Sequence, residues 1–213
     1  MIYKNGIITG NEFNESFQNL SMVGDVTVNN GVASGFTASK YLKTPRLNID
    51  PTKNWLIKMK MTTGSVSSNQ NFFSGLDADI KGIVFGIYSQ KFTIYASSDG
   101  TNWDIMNGSK ATTACAANTT YWLKLSFDKT KYVIEVSTNG TNFTTWLSVS
   151  STKSVYDMSS FFIGISRVLN IPFAGSIDLK ELVVESDGNI IYSPALKTVI
   201  SPYQTTANNF YEI

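Results

Sequence analysis

The sequence predicts an all-β protein, an antiparallel two-sheet sandwich of jelly-roll type. Three observations carry that expectation. No window of about 11 residues holds apolar side chains at the i, i+3, i+4, i+7 spacing of a helix face. Short runs rich in β-branched and aromatic residues follow one another along most of the chain. Clusters of Asn, Asp, Gly and Ser separate them, as turns between strands do. Roughly a dozen short strands without helices must bury their apolar faces against a second sheet.

The elements follow in order. Val26-Thr-Val28 and Val32-Ala-Ser34 flank Asn29-Asn-Gly31, a hairpin signal because Asn and Gly accept positive φ. Trp55–Met61 starts apolar and then alternates, as a half-buried strand does. Gly82–Tyr88 is an almost unbroken apolar run, suited to a strand covered on both faces. Phe92–Tyr95 follows after the turn Ser89-Gln-Lys91. Tyr121–Phe127 and Tyr132–Val136 alternate around Asp128-Lys-Thr-Lys131. Phe161–Ile165 and Ser176–Val184 supply late strands, and Ile190–Tyr192 closes the second through Asp187-Gly-Asn189. One internal echo stands out: Lys91–Trp103 repeats as Lys131–Phe143, each a strand, a polar Gly turn and an aromatic. Two copies make equivalent hairpins of one sandwich, since a solenoid needs about three repeats or more. Trp55 and Trp122, both on strands, are expected in the core.

Composition narrows the function. The chain has 213 residues with formal charge +1, and only 15% of them are charged. A balanced charge with arginine only at positions 46 and 167 excludes a basic nucleic-acid footprint. No apolar run is long enough to span a membrane. Histidine is absent, which removes His-dependent triads, His metal sites and His switching. Cys115 is the single cysteine, so no intrachain disulfide forms, and it is read as a small buried residue. No phosphate-cradling Gly loop is present. The first residues lack the apolar run of a secretory signal, so synthesis in a cytosol is expected. Three segments are expected: an arm or edge strand over 1–20, the sandwich over 21–196, and a tail over 197–213 with Pro202 in it.

The order of motifs resembles the concanavalin A-like, or laminin G-like, sandwiches. Gly31–Phe36, Tyr41–Pro45 and Trp55–Lys60 are similar to that family's opening strands. Tyr121–Phe127 with Tyr132–Ser137 is similar to its central hairpin, and Phe173–Lys180 with Asp187–Tyr192 to its final pair. Residues 20 to 195 are covered. Tyr95–Trp103 also resembles the hairpin of discoidin-type sandwiches. Such domains are common in phage tail, fibre and capsid-surface proteins. The resemblance therefore implies a non-enzymatic virion surface component, made in the host cytoplasm. It would bind glycans or neighbouring virion proteins, as a homo-oligomer or within a larger assembly.

The candidate site residues are Asp99, Asn102, Trp103, Asn142 and Phe143. An aromatic plate beside amides and a carboxylate suits sugar rings, whose C–H faces stack while their hydroxyls pair with polar groups. No cofactor is expected unless calcium: Asp77 and Asp79, in Leu-Asp-Ala-Asp, are the candidate ligands among the loop acids. Two alternatives stay open. One is a carbohydrate-active enzyme using paired carboxylates such as Asp99 and Asp104, although the E-x-D-x-x-E of the glucanases of this fold is missing; Glu181 and Glu185 flank Leu182-Val-Val184 instead. The other is an assembly module that docks through its termini.

Overall fold

The computed structural model describes residues 20–47, 49–75, 80–157, 160–166 and 169–194. Apart from Leu20, the expected arm and tail lie outside the described residues, as do Asp77 and Asp79. The strands in chain order begin with β1 (Ser21–Val23), β2 (Thr27–Asn29), β3 (Val32–Ser34), β4 (Tyr41–Lys43), β5 (Trp55–Thr62) and β6 (Gln70–Ser74). The middle of the chain forms β7 (Ile83–Tyr88), β8 (Lys91–Ala96), β9 (Met106–Ala114), β10 (Thr120–Phe127), β11 (Lys131–Ser137) and β12 (Thr144–Ser150). The last are β13 (Phe162–Ile163), β14 (Ile165–Ser166), β15 (Ile171–Pro172), β16 (Ser176–Ser186) and β17 (Asn189–Tyr192).

These strands build two large antiparallel sheets, and no helix occurs among the described residues. A seven-stranded sheet runs β1-β4-β13-β6-β7-β8-β9, and an eight-stranded sheet runs β12-β11-β10-β5-β16-β3-β2 with β17 beside β16. The ribbon β14-β15 stands apart. The expected sandwich is therefore what forms.

Alternation explains the eight-stranded sheet. Trp55, Ile57, Met59 and Met61 of β5 point inward, with Lys58, Lys60 and Thr62 on the other side. On β10, Tyr121, Leu123, Leu125 and Phe127 do the same, and the register sets Leu125 opposite Ile57 and Leu123 opposite Met59. The apolar run of β7 is buried on both faces up to Tyr88. Within the seven-stranded sheet Phe72 meets Phe85 with ring centroids 4.6 Å apart, and Phe173, from the segment before β16, at 5.5 Å. Phe92 of one sheet meets Tyr121 of the other edge-on at 5.4 Å, so the layers touch through aromatic rings. Trp55 is 2% exposed, as expected.

The edge strands β9 and β12 close one side of the sandwich, where Thr112 Oγ1 donates to the Trp146 carbonyl at 3.2 Å. Thr112 lies late in β9 and Trp146 early in β12, so the two strands run in opposite directions along this seam. The pair Asp104–Lys153, at 2.8 Å, sits at the other end of the same seam.

Candidate functional site

The sequence echo folds into twin turns. In the first, Asp99 Oδ1 accepts from the N–H of Thr101 and of Asn102 at 2.7 Å each, and Gly100 N–H donates to Ser97 Oγ at 3.0 Å. In the second, Asn139 Oδ1 accepts from the N–H of Thr141 and Asn142 at 3.0 and 2.9 Å, and Gly140 N–H donates to Ser137 Oγ at 3.0 Å. Gly100 and Gly140 hold φ of 76° and 80°, which a side chain would strain. The Asn102 hydrogen bonds, followed by that of Thr101, pull the Asp99 carboxyl far below the usual carboxylate range. Asp99 and Asn102 thus organise a turn. Asn102 Nδ2 itself donates to Asp99 Oδ2 at 3.0 Å.

The structure does not bring the two halves of the expected site together. The seam runs antiparallel, so the Asp99 turn lies at one end of the sandwich and the Asn139 turn at the other. Trp103 rests on Tyr95, centroids 5.5 Å apart, under the Lys81 ammonium at 5.7 Å. Phe143 lies just before β12 of the other sheet, with the Lys124 ammonium 3.7 Å above its ring. Asp104 accepts from Ser98 N–H at 2.7 Å and from Ser98 Oγ at 2.5 Å. Its contact with Lys153, followed by those with Ser98, lowers its carboxyl to about 2. A general acid needs the opposite shift, so neither Asp99 nor Asp104 is tuned for that role. Cys115 is buried, its Sγ donates to the Gln90 carbonyl at 3.1 Å, and burial pushes its thiol up to about 11. Among the described residues no group of three or more His, Cys, Asp or Glu is placed to hold a metal.

Phe143 instead helps form an open groove of about 400 Å³ on the outer face of the eight-stranded sheet. Its floor is the outward side of β5 and β10, with Lys58, Trp122 and Lys124 lining it and Lys60 next to Trp122. The register puts Trp122 opposite Lys60 and Lys124 opposite Lys58. Trp122 is thus outside and half-buried, contrary to its expected core position. The pleat decides this: Tyr121 and Leu123 take the inner face, so the residue between them takes the other. That signal was readable in the sequence. The Lys60 ammonium lies 5.2 Å from the Trp122 ring centroid, and Gly140 packs so closely that a Cβ there would come 3.1 Å from the indole.

Two walls flank this floor. The Asn139 turn, through Gly140, Thr141 and Phe143, makes one. The other is a bulge in β16, where the stretch between Asp178 and Val183 stands against the single residue Met59. Leu179 and Leu182 both reach the core, which leaves Lys180 and Glu181 exposed at the tip. Glu181 and Val183 line the groove. The spacing Ile177, Leu179, Leu182, Val184 (two, three, two) is the trace of this bulge in the sequence, and reading the stretch as one continuous strand hides it. Lys58 Nζ is paired with Glu185 at 2.6 Å and Lys60 Nζ with Asp178 at 3.3 Å.

No protein-family model matches the chain, and no curated protein does. Solved structures do. The chain is similar to domains LG4-5 of the mouse laminin alpha1 chain (10% identity, TM-score 0.54, covering 76% of this chain and 43% of that one). Domain 4 of AbnA, a GH43 extracellular arabinanase from Geobacillus stearothermophilus seen with arabinotriose, is similar at 15% identity and TM-score 0.56, covering 82% and 84%. A botulinum neurotoxin type C structure, whose report ties cell entry to two ganglioside molecules, matches at 10% identity and TM-score 0.55, covering 87% and 50%. The chain spans half or less of the laminin and neurotoxin chains. At these identities the likeness shows the fold, a concanavalin A-like or laminin G-like sandwich.

Proposed function

We propose that this sandwich is a non-enzymatic glycan-binding module and that the groove over Trp122 and Phe143 is where it binds. The observation that carries the reading is the groove's composition: two half-exposed aromatic rings set among ammonium donors and carboxylate acceptors. A sugar presents an apolar C–H face and a rim of hydroxyls, and needs both kinds of partner. The ammonium groups over the rings do not block it. Exposed cation–π contacts are worth about 0.5–1 kcal/mol, so a ring of sugar displaces them at small cost. The freed ammonium groups then meet hydroxyl oxygens. Neighbours of the same fold are reported with arabinotriose or tied to gangliosides, which supports the ligand class.

Binding without turnover is supported by the state of the acids. Asp99 and Asp104 are held ionised by local hydrogen bonds, and Asp178 and Glu185 are tied to lysines. The proposal extends to a place: the surface of a phage particle, as part of a fibre, tail or capsid decoration. A Ser-, Thr- and Asn-rich chain of low charge supports it, together with the sequence resemblance. Antibody labelling of source particles under negative stain checks the location, and unlabelled particles would remove it.

The binding claim is tested by a glycan array followed by titration calorimetry. Wild type is expected to bind, and Trp122→Ala and Phe143→Ala to lose about tenfold each, the equivalent of about 1.4 kcal/mol. Both side chains lie outside the core, so the variants keep the fold. Equal affinity in all three proteins, or release of sugar products from a bound polysaccharide, would end the reading.

A further inference from the structure

We infer that the groove selects neutral glycans over acidic ones; this rests on the glycan-binding reading above. The ground is a charge balance: of the cations that line the groove, Lys58 is ion-paired and Lys124 rests on the Phe143 ring. Reading across the sheet, one row is Glu135, Lys124, Lys58 and Val183. The next is Ser137, Trp122, Lys60 and Asp178. Lys58 and Lys60 are ion-paired with Glu185 and Asp178 from β16. Lys124 is the third cation, with Glu135 directly opposite it in register and its ammonium turned onto the Phe143 ring.

Against these lysines stands Glu181, exposed at the tip of the bulge and without an ion pair among the described residues. With Lys58 paired to Glu185, the remaining charges of the lining are Lys124 and Glu181, so the groove carries no surplus positive charge and Glu181 is the carboxylate on its wall. A uronate or sialate carboxylate would bring a second anion to that wall, well inside the Debye length of about 8 Å. Nor is there an arginine in the lining to bind a carboxylate bidentately, the usual device for anion recognition.

For a neutral sugar the same arrangement is favourable. Two neighbouring hydroxyls donate to the two oxygens of Glu181 while others accept from Lys124, and the ring lies against Trp122. Hydrogen bonds to a charged acceptor are the stronger kind, so Glu181 is assigned as the specificity residue. The groove thereby sorts ligands by charge as well as by shape.

The test uses the full chain on an array carrying neutral gluco-, manno- and arabino-oligosaccharides beside sialyllactose and oligogalacturonate. Hits are then titrated at low and high salt with wild type, Glu181→Gln and Trp122→Ala. The expected result is neutral hits that disappear with Trp122→Ala, weaken about tenfold with Glu181→Gln, and change little with salt. Acidic hits that need Trp122, tighten with Glu181→Gln and fade with salt would overturn this inference while leaving the glycan reading intact. If no binding depends on Trp122, the glycan reading itself fails and this inference with it. Circular dichroism of Glu181→Gln separates lost binding from lost fold, and its exposed position predicts an unchanged spectrum.

Discussion

At the scale of single residues, environment decides what each acid does. Asp104 looks in the sequence like a partner for Asp99. In the structure its oxygens are occupied by Ser98 and Lys153. Its carboxyl is lowered from the ordinary 3.8 to about 2, so the folded state prefers it ionised. The stability this confers is fully present above the unfolded value and is lost as pH falls from there toward 2. Asp104→Asn is therefore expected to lower stability at neutral pH and to differ little from wild type near pH 2, which flattens part of the acid limb. Urea midpoints measured between neutral and acidic pH check it; parallel curves for the two proteins would contradict the assignment. Trp122 teaches the same lesson in reverse. Its residue type suggested core, and its position in the alternation placed it outside.

At the scale of elements, the repeated turn was the most legible feature of the chain. Ser97, Asp99 and Gly100 match Ser137, Asn139 and Gly140 in two bonds, the serine hydroxyl to the Asx side-chain oxygen and the glycine N–H to the serine hydroxyl. Asp and Asn can substitute because either side-chain oxygen accepts the two N–H groups of an Asx turn. The hairpin at Asn30-Gly31 was equally legible, with φ of 49° and 82°. The turn expected at Ser89-Gln90 also forms, at φ of 51° and 62° and without a glycine. Polar edge strands such as β9 escaped the reading because Met106–Ala114 lacks an apolar period. A prediction belongs here. Gly140→Ala strains a positive φ, costing about 1–2 kcal/mol, and also crowds the Trp122 indole. Gly188→Ala meets no atom within 4 Å at φ of 77°, so it carries the strain alone. Chemical denaturation should show the first variant less stable than the second. Glycan titration should show weakened binding only in the first.

At the scale of the whole molecule, stability rests on aromatic contact between the sheets and on pairing between distant strands. Strand β16 lies between β5 and β3, so the eight-stranded sheet closes only when the late chain returns to the early chain. Such non-local pairing sets folding on the slow side, on the order of milliseconds to seconds. Phe72 is fully buried and touches Phe85, Phe92 and Phe173 at once. Phe72→Ala is expected to cost about 3–5 kcal/mol, the range for a buried aromatic emptied to a cavity. It should lower a single cooperative transition without splitting it. A loss under about 1 kcal/mol would mean that this ring is not a packed part of the core.

By itself the sequence determined the layers. Period-two alternation forces a half-buried strand, Asn and Gly force tight turns, and many such strands without helices must stack face to face. It also determined the chemistry that is missing, since absent histidines cannot be supplied by folding. Only the tertiary structure decided where the site is. Whether two turns adjoin or lie at opposite ends depends on strand order and direction across the seam, and neither is written in local pattern. The groove exists because a bulge in β16 and a turn after β11 rise on either side of the same floor, residues some forty apart in the chain brought together by register alone.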